Sequence, residues 1–146
     1  QAGDGVTQLS RRRSPKRGAY VDVFESLVSI PGLLADRNFS LEVVLIQEEE
    51  VRRYDGVRGW RKRGWVTSER RLLGVLGQRT LRSAADAAEA FFPSGLEEDF
   101  TTRDLAAALA VPRRLAQKMV YCWRLTGFVT PVGRRSRDIV YTRSRA

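Results

Sequence analysis

The stretch Pro112 to Gly127, PRRLAQKMVYCWRLTG, divides into two faces when it is wound as an α-helix at about 100° per residue. One face is apolar and holds Pro112, Leu115, Ala116, Met119, Val120, Cys122 and Trp123. The other holds four cations, an amide and a phenol but no carboxylate: Arg113, Arg114, Gln117, Lys118, Tyr121 and Arg124. Because a solvated helix face ordinarily mixes charges of both signs, this pattern predicts a polyanionic partner. We therefore predict that a helix over residues 112–126 contacts nucleic acid.

The positive charge of the chain is concentrated at its two ends. The 146 residues have a formal net charge of +9. Residues 101–146 hold ten arginines and lysines against two aspartates, and residues 1–18 hold five against one. Residues 19–100 hold eleven bases against fourteen acids and are weakly acidic. This basic protein is expected to have an anionic partner that binds its ends.

The composition also excludes several kinds of chemistry. The chain has no histidine, which removes histidine-based triads and histidine metal sites. Its single cysteine, Cys122, lies on the apolar helix face, so we expect a core residue, and the lack of a second cysteine fits a reducing compartment. No hydrophobic run suits a signal peptide or a membrane span. We expect a cytoplasmic protein without a cofactor, associated with the nucleoid in a bacterium or located in the nucleus of a eukaryote.

The N-terminal half is predicted to contain a flexible basic arm, residues 1–18, and an α/β scaffold or interaction domain, residues 19–80. The arm is polar and carries RRRSPKR at 11–17, which suits either phosphate tracking or a solubilising tail. Tyr20 to Leu34 has helical spacing, with Pro31-Gly32 expected to end or kink the helix. Ser40 to Gln47 is apolar on both faces, which predicts a central strand covered on two sides. Residues 60–67 and 69–76 are predicted as two further strands.

Acidic side chains around these elements leave a catalytic alternative open. Asp22, Glu25, Glu42, Glu48, Glu49 and Glu50 surround a predicted helix and strand. Such a unit could hold Mg²⁺ for phosphodiester cleavage, and it loosely resembles the core of restriction-endonuclease-like nucleases. The acid-x-lysine of that family is missing after Glu42 and after Glu48, and arginine is a poor substitute because it does not deprotonate. We therefore predict no catalytic residue and no metal site, and we expect a binding protein rather than an enzyme.

A second cluster of basic and aromatic residues, WRKRGW, spans Trp60 to Trp65. Aromatic rings between cations can stack on unpaired bases. Two tryptophans five residues apart more often pack a sheet against a neighbour, with the basic residues in a solvated turn. We favour this core interpretation, in which the tryptophans lie in a core or at a domain interface.

Local signals in the C-terminal half place three helices and a hairpin. Ser83 and Thr101 are predicted to cap helices, each with an aspartate three residues further on. The helices are expected to cover residues 84–92, 102–110 and 112–126, with a very short turn at Val111 and a left-handed stop at Gly127. Two β-rich runs then flank the sequence GRRSR, residues 133–137, which predicts a hairpin with an arginine-rich tip.

This order of elements resembles the winged helix-turn-helix family over residues 81–146. In that family the third helix enters the major groove and the wing contacts the backbone or minor groove. The resemblance implies base contacts by Arg113, Arg114 and Gln117, and phosphate contacts by Lys118, Tyr121 and Arg124. It implies further phosphate contacts from the wing residues Arg134, Arg135 and Arg137, and from Thr101, Thr102 and Arg103 at the start of the preceding helix.

The predicted fold class is therefore α+β, with a small N-terminal helix-plus-sheet unit followed by a C-terminal winged helix domain, residues 81–146. The predicted function is binding of double-stranded DNA as a regulator or accessory factor, with residues 19–80 available for a homodimer or a protein partner. A nuclease or nuclease subunit remains one alternative. A protein- or RNA-interaction module of a larger complex remains the other.

Overall fold

The computed structural model describes residues 8–145, and in this range helices and strands each form about a third of the chain. The α+β class predicted from the sequence is confirmed. Residues 8–18 contain neither helix nor strand. The first seven residues of the predicted basic arm, and Ala146 at the end of the C-terminal domain, lie outside the described residues.

Short helices replace the single helix predicted over residues 20–34. A 3₁₀ turn, Tyr20–Val23, leads into α1 (Phe24–Leu27), and α2 (Pro31–Leu34) follows. Ile30 is non-helical, with φ −134° and ψ 46°, because a residue before proline is disfavoured in the α conformation. Pro31 therefore begins a new helix where it was expected to end one.

A long antiparallel ribbon follows, formed by β1 (Leu41–Tyr54) and β2 (Trp65–Leu81). The two strands predicted over residues 60–67 and 69–76 are one strand, preceded by a 3₁₀ turn at Trp60–Lys62. The prediction of a central strand covered on two sides is wrong, since the sheet has two strands within residues 8–145 and Ile46 is 49% exposed. An apolar strand favours burial of its side chains, but its sequence does not specify which other segment or molecule covers them.

The C-terminal half contains α3 (Ala84–Glu89), β3 (Asp99–Phe100), α4 (Thr102–Leu109), α5 (Arg113–Leu125) and the hairpin β4 (Val129–Arg135) and β5 (Asp138–Arg143). The sheet order is β3-β5-β4, so β5 is the middle strand. The short strand β3 lies directly before the Thr101 cap of α4, where no strand was predicted. It attaches the hairpin to the helices through its pairing with β5.

The predicted caps at Ser83 and Thr101 and the stop at Gly127 are confirmed, whereas α3 ends at Glu89, three residues before the predicted end. The Ser83 hydroxyl accepts a hydrogen bond from the Asp86 amide at 3.0 Å, and the Asp86 carboxylate accepts one from the Arg82 amide. Thr101 and Asp104 form a reciprocal capping box at 3.2 and 2.8 Å. Gly127 takes the left-handed conformation, with φ +78°. These signals are local, which is why the sequence identified them.

One hydrophobic core joins the two halves of the chain. Phe24 of α1 is fully buried and packs edge to face on Phe91, with ring centroids 5.4 Å apart. Leu27 and Leu34 belong to the same buried cluster as the apolar face of α5. Cys122, predicted to be a core residue, is fully buried, and burial raises the pKa of its thiol to about 11. The boundary that we placed at residue 80 therefore does not separate two cores.

Candidate nucleic-acid interface

Helix α5 has the two faces that its sequence predicts. Its buried side chains are Leu115, Ala116, Met119, Val120, Cys122 and Trp123. Arg114, Gln117, Tyr121 and Arg124 are exposed on the other side. The apolar side is held by the core from α1, α2 and α4, so the exposed side is kept facing solvent.

An open cleft of about 290 Å³ lies between the exposed side of α5 and the β4–β5 hairpin. Gln117, Tyr121 and Arg124 line it from the helix, and Arg137 lines it from the hairpin turn. The fold thus brings together residues that were predicted separately, from the helix face and from the wing. Two cations, an amide and a phenol on one cleft provide donors for an anionic ligand.

Asp138 at the start of β5 closes one side of this cleft and neutralises part of its charge. Its carboxylate accepts hydrogen bonds from Arg113 and from Arg103, the latter at 3.2 Å. Burial acts to raise the pKa of Asp138, but the hydrogen bond and charge of Arg113, together with Arg103, outweigh it and lower the pKa. Arg113 also donates to the Thr102 hydroxyl at 3.4 Å, so its guanidinium bridges α4, α5 and the hairpin.

Two other predicted contacts are used within the protein. Lys118 forms an ion pair with Glu25 of α1, and its side chain is only 20% exposed. Thr101 is 3% exposed and its hydroxyl caps α4, so this side chain is already used within the protein, while its position at the N-terminus of α4 stays a predicted phosphate contact. For Lys118 the cause lies in another segment, because α1 covers a position that the helical wheel of α5 shows as open.

The hairpin turn is tighter than the predicted tip. Arg135 pairs with Asp138 in the strand register, which leaves Ser136 and Arg137 as the turn, with Ser136 at φ +59°. Arg135 forms an ion pair with Asp104 at 3.2 Å. Arg134 and Arg137 are exposed and form no ion pair with any described residue. Of the three predicted wing arginines, these two therefore remain available to a ligand.

The sequence analysis did not identify Asp138 and Glu25 as ion-pair partners of the predicted site residues. Asp138 is one of two acids in residues 101–146 and directly follows the hairpin turn, so the sequence did contain a signal for it. Glu25 lies 93 residues from Lys118, and nothing in the sequence connects the two positions. The basic face of α5 contains no carboxylate of its own, but Asp138 and Glu25 from other segments neutralise two of its four cations in the folded chain.

The carboxylates of the nuclease alternative point to different partners. Glu48 lies 3.9 Å from Arg70, and Glu49 lies 3.1 Å from Arg11. Glu50 accepts hydrogen bonds from the Thr67 hydroxyl and from Arg52, and these lower its pKa to about 2. Consecutive residues of a strand alternate between its faces, which separates Glu49 from its two neighbours. Among residues 8–145, no three acids or cysteines approach one another closely enough to hold a metal ion.

None of the helices in the described part of the chain combines the length and the apolar character that a membrane crossing requires.

The structure defines the class of this molecule as an α+β protein with a basic helix face and hairpin on its C-terminal half. The chain belongs to the family described as "Domain of unknown function (DUF8091)", which matches residues 2–82. This match covers the arm, α1, α2 and the ribbon, and it ends before α3. Residues 83–146, which carry the cleft, lie beyond it.

An uncharacterized protein of Treponema pallidum (strain Nichols) is 28% identical over 131 residues. The alignment covers 89% of this chain and 51% of that protein, so the chain spans about half the length of this relative. Because the alignment leaves out only about a tenth of the chain, it includes most of the family-matched half and most of the C-terminal half. No solved structure matches the chain.

Proposed function

We propose that the protein binds double-stranded DNA, with the C-terminal half acting as a winged helix-turn-helix unit. The order of α3, α4, α5 and the hairpin supports this proposal, because it is the order on which the family resemblance rests. Only Ala110 to Pro112 separate α4 from α5, and Ala110 takes the left-handed conformation at φ +53°. This tight link holds the two helices as a helix-turn-helix pair.

The observation that carries the proposal is the composition of the cleft between α5 and the hairpin. Arg124 and Arg137 line it from opposite elements, with Gln117 and Tyr121 also on its wall. Neither arginine forms an ion pair within the described range. Two unneutralised cations facing one cleft favour an anionic ligand, and a phosphate backbone supplies more than one negative charge to such a cleft.

The roles of the side chains follow from their position and their free donors. Arg114 and Gln117 lie in the first turns of α5 and are assigned to base edges, where arginine reads guanine and glutamine reads adenine. Arg124, Arg134 and Arg137 are assigned to phosphates. The ion-paired residues are assigned to positioning α5 and the hairpin, and they are Arg103, Arg113, Lys118 and Arg135.

A salt titration of duplex binding tests this proposal. The affinity for a random-sequence duplex is measured by fluorescence anisotropy for the protein and for a variant combining Arg124→Ala with Arg137→Ala. A combination of Arg37→Ala with Arg145→Ala removes the same charge away from the cleft. The cleft variant should flatten the slope of log affinity against log salt by about two, since each lost phosphate contact removes about one. Equal slopes for the two double variants would place the DNA contact elsewhere.

A competition experiment with the same labelled duplex separates the proposal from its RNA-binding and protein-binding alternatives. Unlabelled duplex DNA and unlabelled single-stranded RNA are each added to the complex with the labelled duplex. If the cleft recognises a duplex, the duplex DNA should displace the label better than the RNA does. Preferential displacement by RNA would favour the interaction module of a larger complex. Binding to duplex DNA also implies a location with access to DNA, which is the nucleoid region of a bacterium or the nucleus of a eukaryote.

We further infer that residues 19–80 associate with a second copy of the chain through one face of the ribbon. Val44, Ile46, Leu72 and Val75 share that face, because Ile46 pairs with Val75 and the others lie two or three positions away. All four are 41–64% exposed, and the bulged residues Leu73 and Leu76 extend the patch. A monomer seldom leaves such a contiguous patch uncovered.

The size and charge of this ribbon face suit self-association. A ribbon with 14 residues in β1 is about 45 Å long and about 10 Å wide, so two stacked faces would bury on the order of 1,000 Å². That area is at the lower bound for specific interfaces. Glu48 and Arg70 border the apolar patch and lie 3.9 Å apart within the same chain, so the border of the patch carries a paired acid and base and no excess of one charge.

A further inference from the structure

The connection between β1 and β2, residues 55–64, forms a basic tip on the ribbon. Its four cations Arg58, Arg61, Lys62 and Arg63 are all exposed, and none forms an ion pair with a carboxylate in the described range. The acid in this segment is Asp55, whose carboxylate accepts a hydrogen bond from the backbone of the same turn. The tip therefore presents a concentrated positive charge at the far end of the ribbon.

Trp60 lies among these cations and is 78% exposed. The core interpretation of the WRKRGW cluster is therefore wrong for Trp60. Trp65 is half-buried and packs edge to face on Tyr54, with ring centroids 5.7 Å apart, but Tyr54 is itself 62% exposed and neither residue belongs to the hydrophobic core. Arg61 lies over the Trp60 ring at 5.2 Å, and the open space beside this ring measures about 460 Å³. The tip thus offers an aromatic face next to positive charge.

The backbone of the tip is closed and specifically shaped. The amides of Lys62 and Gly64 both donate to the Gly59 carbonyl, at 2.7 and 3.0 Å. Gly59 and Gly64 have φ +71° and +82°, and a Cβ on Gly64 would lie 2.7 Å from the Tyr54 ring. Both glycines are needed for this turn, so Trp60 is displayed by a built scaffold.

We propose that the ribbon tip is a second nucleic-acid site, which binds single-stranded DNA by stacking Trp60 on an unpaired base. The four tip cations neutralise the phosphates on either side of that base. Base stacking on aromatic rings combined with cationic backbone contacts is the general mode of single-strand binding. A duplex does not supply this ligand, because its bases are already stacked on one another.

The tip is a surface separate from the α5 cleft. The cleft depends on α5 and the hairpin, whereas the tip depends on Trp60, the two glycines and Tyr54. The ribbon between them is about 45 Å long, estimated from the rise per residue of a strand. One protein thus has a duplex-reading face and a single-strand site, a combination suited to DNA in which a duplex adjoins an unpaired segment.

An anionic membrane surface is the competing ligand for a basic and aromatic tip. Interfacial membrane binding requires a continuous apolar face with the charges on the other side. The tip does not present such a face, because Arg58 lies between Val57 and Trp60 in sequence and the Arg61 guanidinium places a charge over one side of the Trp60 ring. The arrangement therefore favours nucleic acid, and vesicles serve as one arm of the test.

Intrinsic tryptophan fluorescence tests the proposal directly. Trp123 is buried and Trp65 is half-buried, so Trp60 is the indole most accessible to a ligand. A short oligodeoxythymidylate should quench the fluorescence of the full chain. Trp60→Ala should remove most of that quenching and weaken oligonucleotide binding by roughly 5- to 100-fold. Because Trp60 is exposed, the thermal midpoint of this variant should match that of the unmodified chain.

Control variants keep this result apart from the proposed duplex function. Arg124→Ala with Arg137→Ala should leave oligodeoxythymidylate quenching unchanged, and Trp60→Ala should leave the salt slope of duplex binding unchanged. Undiminished oligonucleotide affinity in Trp60→Ala would overturn the single-strand site. A Trp60 signal produced by phosphatidylserine vesicles but not by the oligonucleotide would overturn it equally. Either result would leave the duplex proposal to be judged by its own titration.

Discussion

Phe24 and Trp123 pack edge to face, with ring centroids 6.1 Å apart and ring planes at 84°. Phe24 belongs to the half of the chain that matches the family, and Trp123 belongs to α5. Both side chains are almost completely buried. The position of the basic helix α5 therefore depends on a segment that lies about 100 residues earlier in the chain.

Phe24→Ala should destabilise the whole chain by about 3–5 kcal/mol, because it removes a buried ring and leaves a cavity against α5. The free energy of unfolding is measured by urea denaturation followed through tryptophan fluorescence. Ile30→Ala is the matched control, since Ile30 lies nearby and is 44% exposed. It should cost under about 1 kcal/mol. A Phe24→Ala loss no larger than this control would show that α1 does not support the core.

Asp138→Asn should strengthen duplex binding several-fold, because it releases Arg103 and Arg113 from their shared carboxylate. Anisotropy titrations at two salt concentrations measure both the affinity and its salt dependence, which should become steeper. Glu97→Gln makes the same charge change at an exposed position away from the cleft and is the control. If Asp138→Asn weakened binding instead, its ion pairs would be needed to hold the hairpin in place.

The titration of Glu50 should report the hydrogen bond from Thr67. That bond, with Arg52, lowers the pKa of Glu50 to about 2, so its contribution to stability is present above the ordinary glutamate range and is lost as pH falls through about 2. Thr67→Val should raise the midpoint toward the ordinary glutamate value of about 4.3, as measured by carboxyl-carbon NMR. Thr80→Val, an exposed change near the ribbon base, should leave it unchanged. A midpoint that does not move in Thr67→Val would contradict the bond.

Ile46→Asp should shift the protein toward the monomer if two copies stack through the apolar ribbon face. Placing a carboxylate at the centre of that face leaves an unpaired charge to be desolvated in the dimer, which is strongly unfavourable. Sedimentation velocity over a range of protein concentrations measures the change. Leu9→Asp is the control, because Leu9 is 77% exposed and lies outside the ribbon. Identical sedimentation of Ile46→Asp and the unmodified chain would exclude this surface as a dimer contact.

The C-terminal elements were predictable because their signals are short-range. The Ser83 and Thr101 caps and the Gly127 stop each depend on residues within four positions of one another. The two faces of α5 follow from helical periodicity alone. For the candidate site, the sequence supplied the residues of the cleft, including Gln117, Tyr121, Arg124 and Arg137. It did not reveal which of the predicted cations were neutralised by other segments.

The ribbon was not predictable because its pattern of apolar residues is compatible with two different strand arrangements. An apolar strand such as residues 41–46 satisfies either a covered central position or one exposed face of a two-stranded ribbon. Trp60 and Trp65 illustrate the same limit, since they are close in sequence but only Trp65 packs on Tyr54. Which arrangement is adopted depends on long-range pairing, and the hydropathy of each residue does not encode that pairing.

The sequence by itself determined the helix caps at Ser83 and Thr101, the amphipathic face of α5 and the excess of positive charge, because each depends on residue type and local spacing. Only the tertiary structure decided which cations remain free, because Glu25 and Asp138 reach Lys118 and Arg113 through folding. It also decided that α1 supports the basic helix and that the ribbon displays Trp60. Coulombic pairing and burial act through space, so they are known only when distant segments have been brought together.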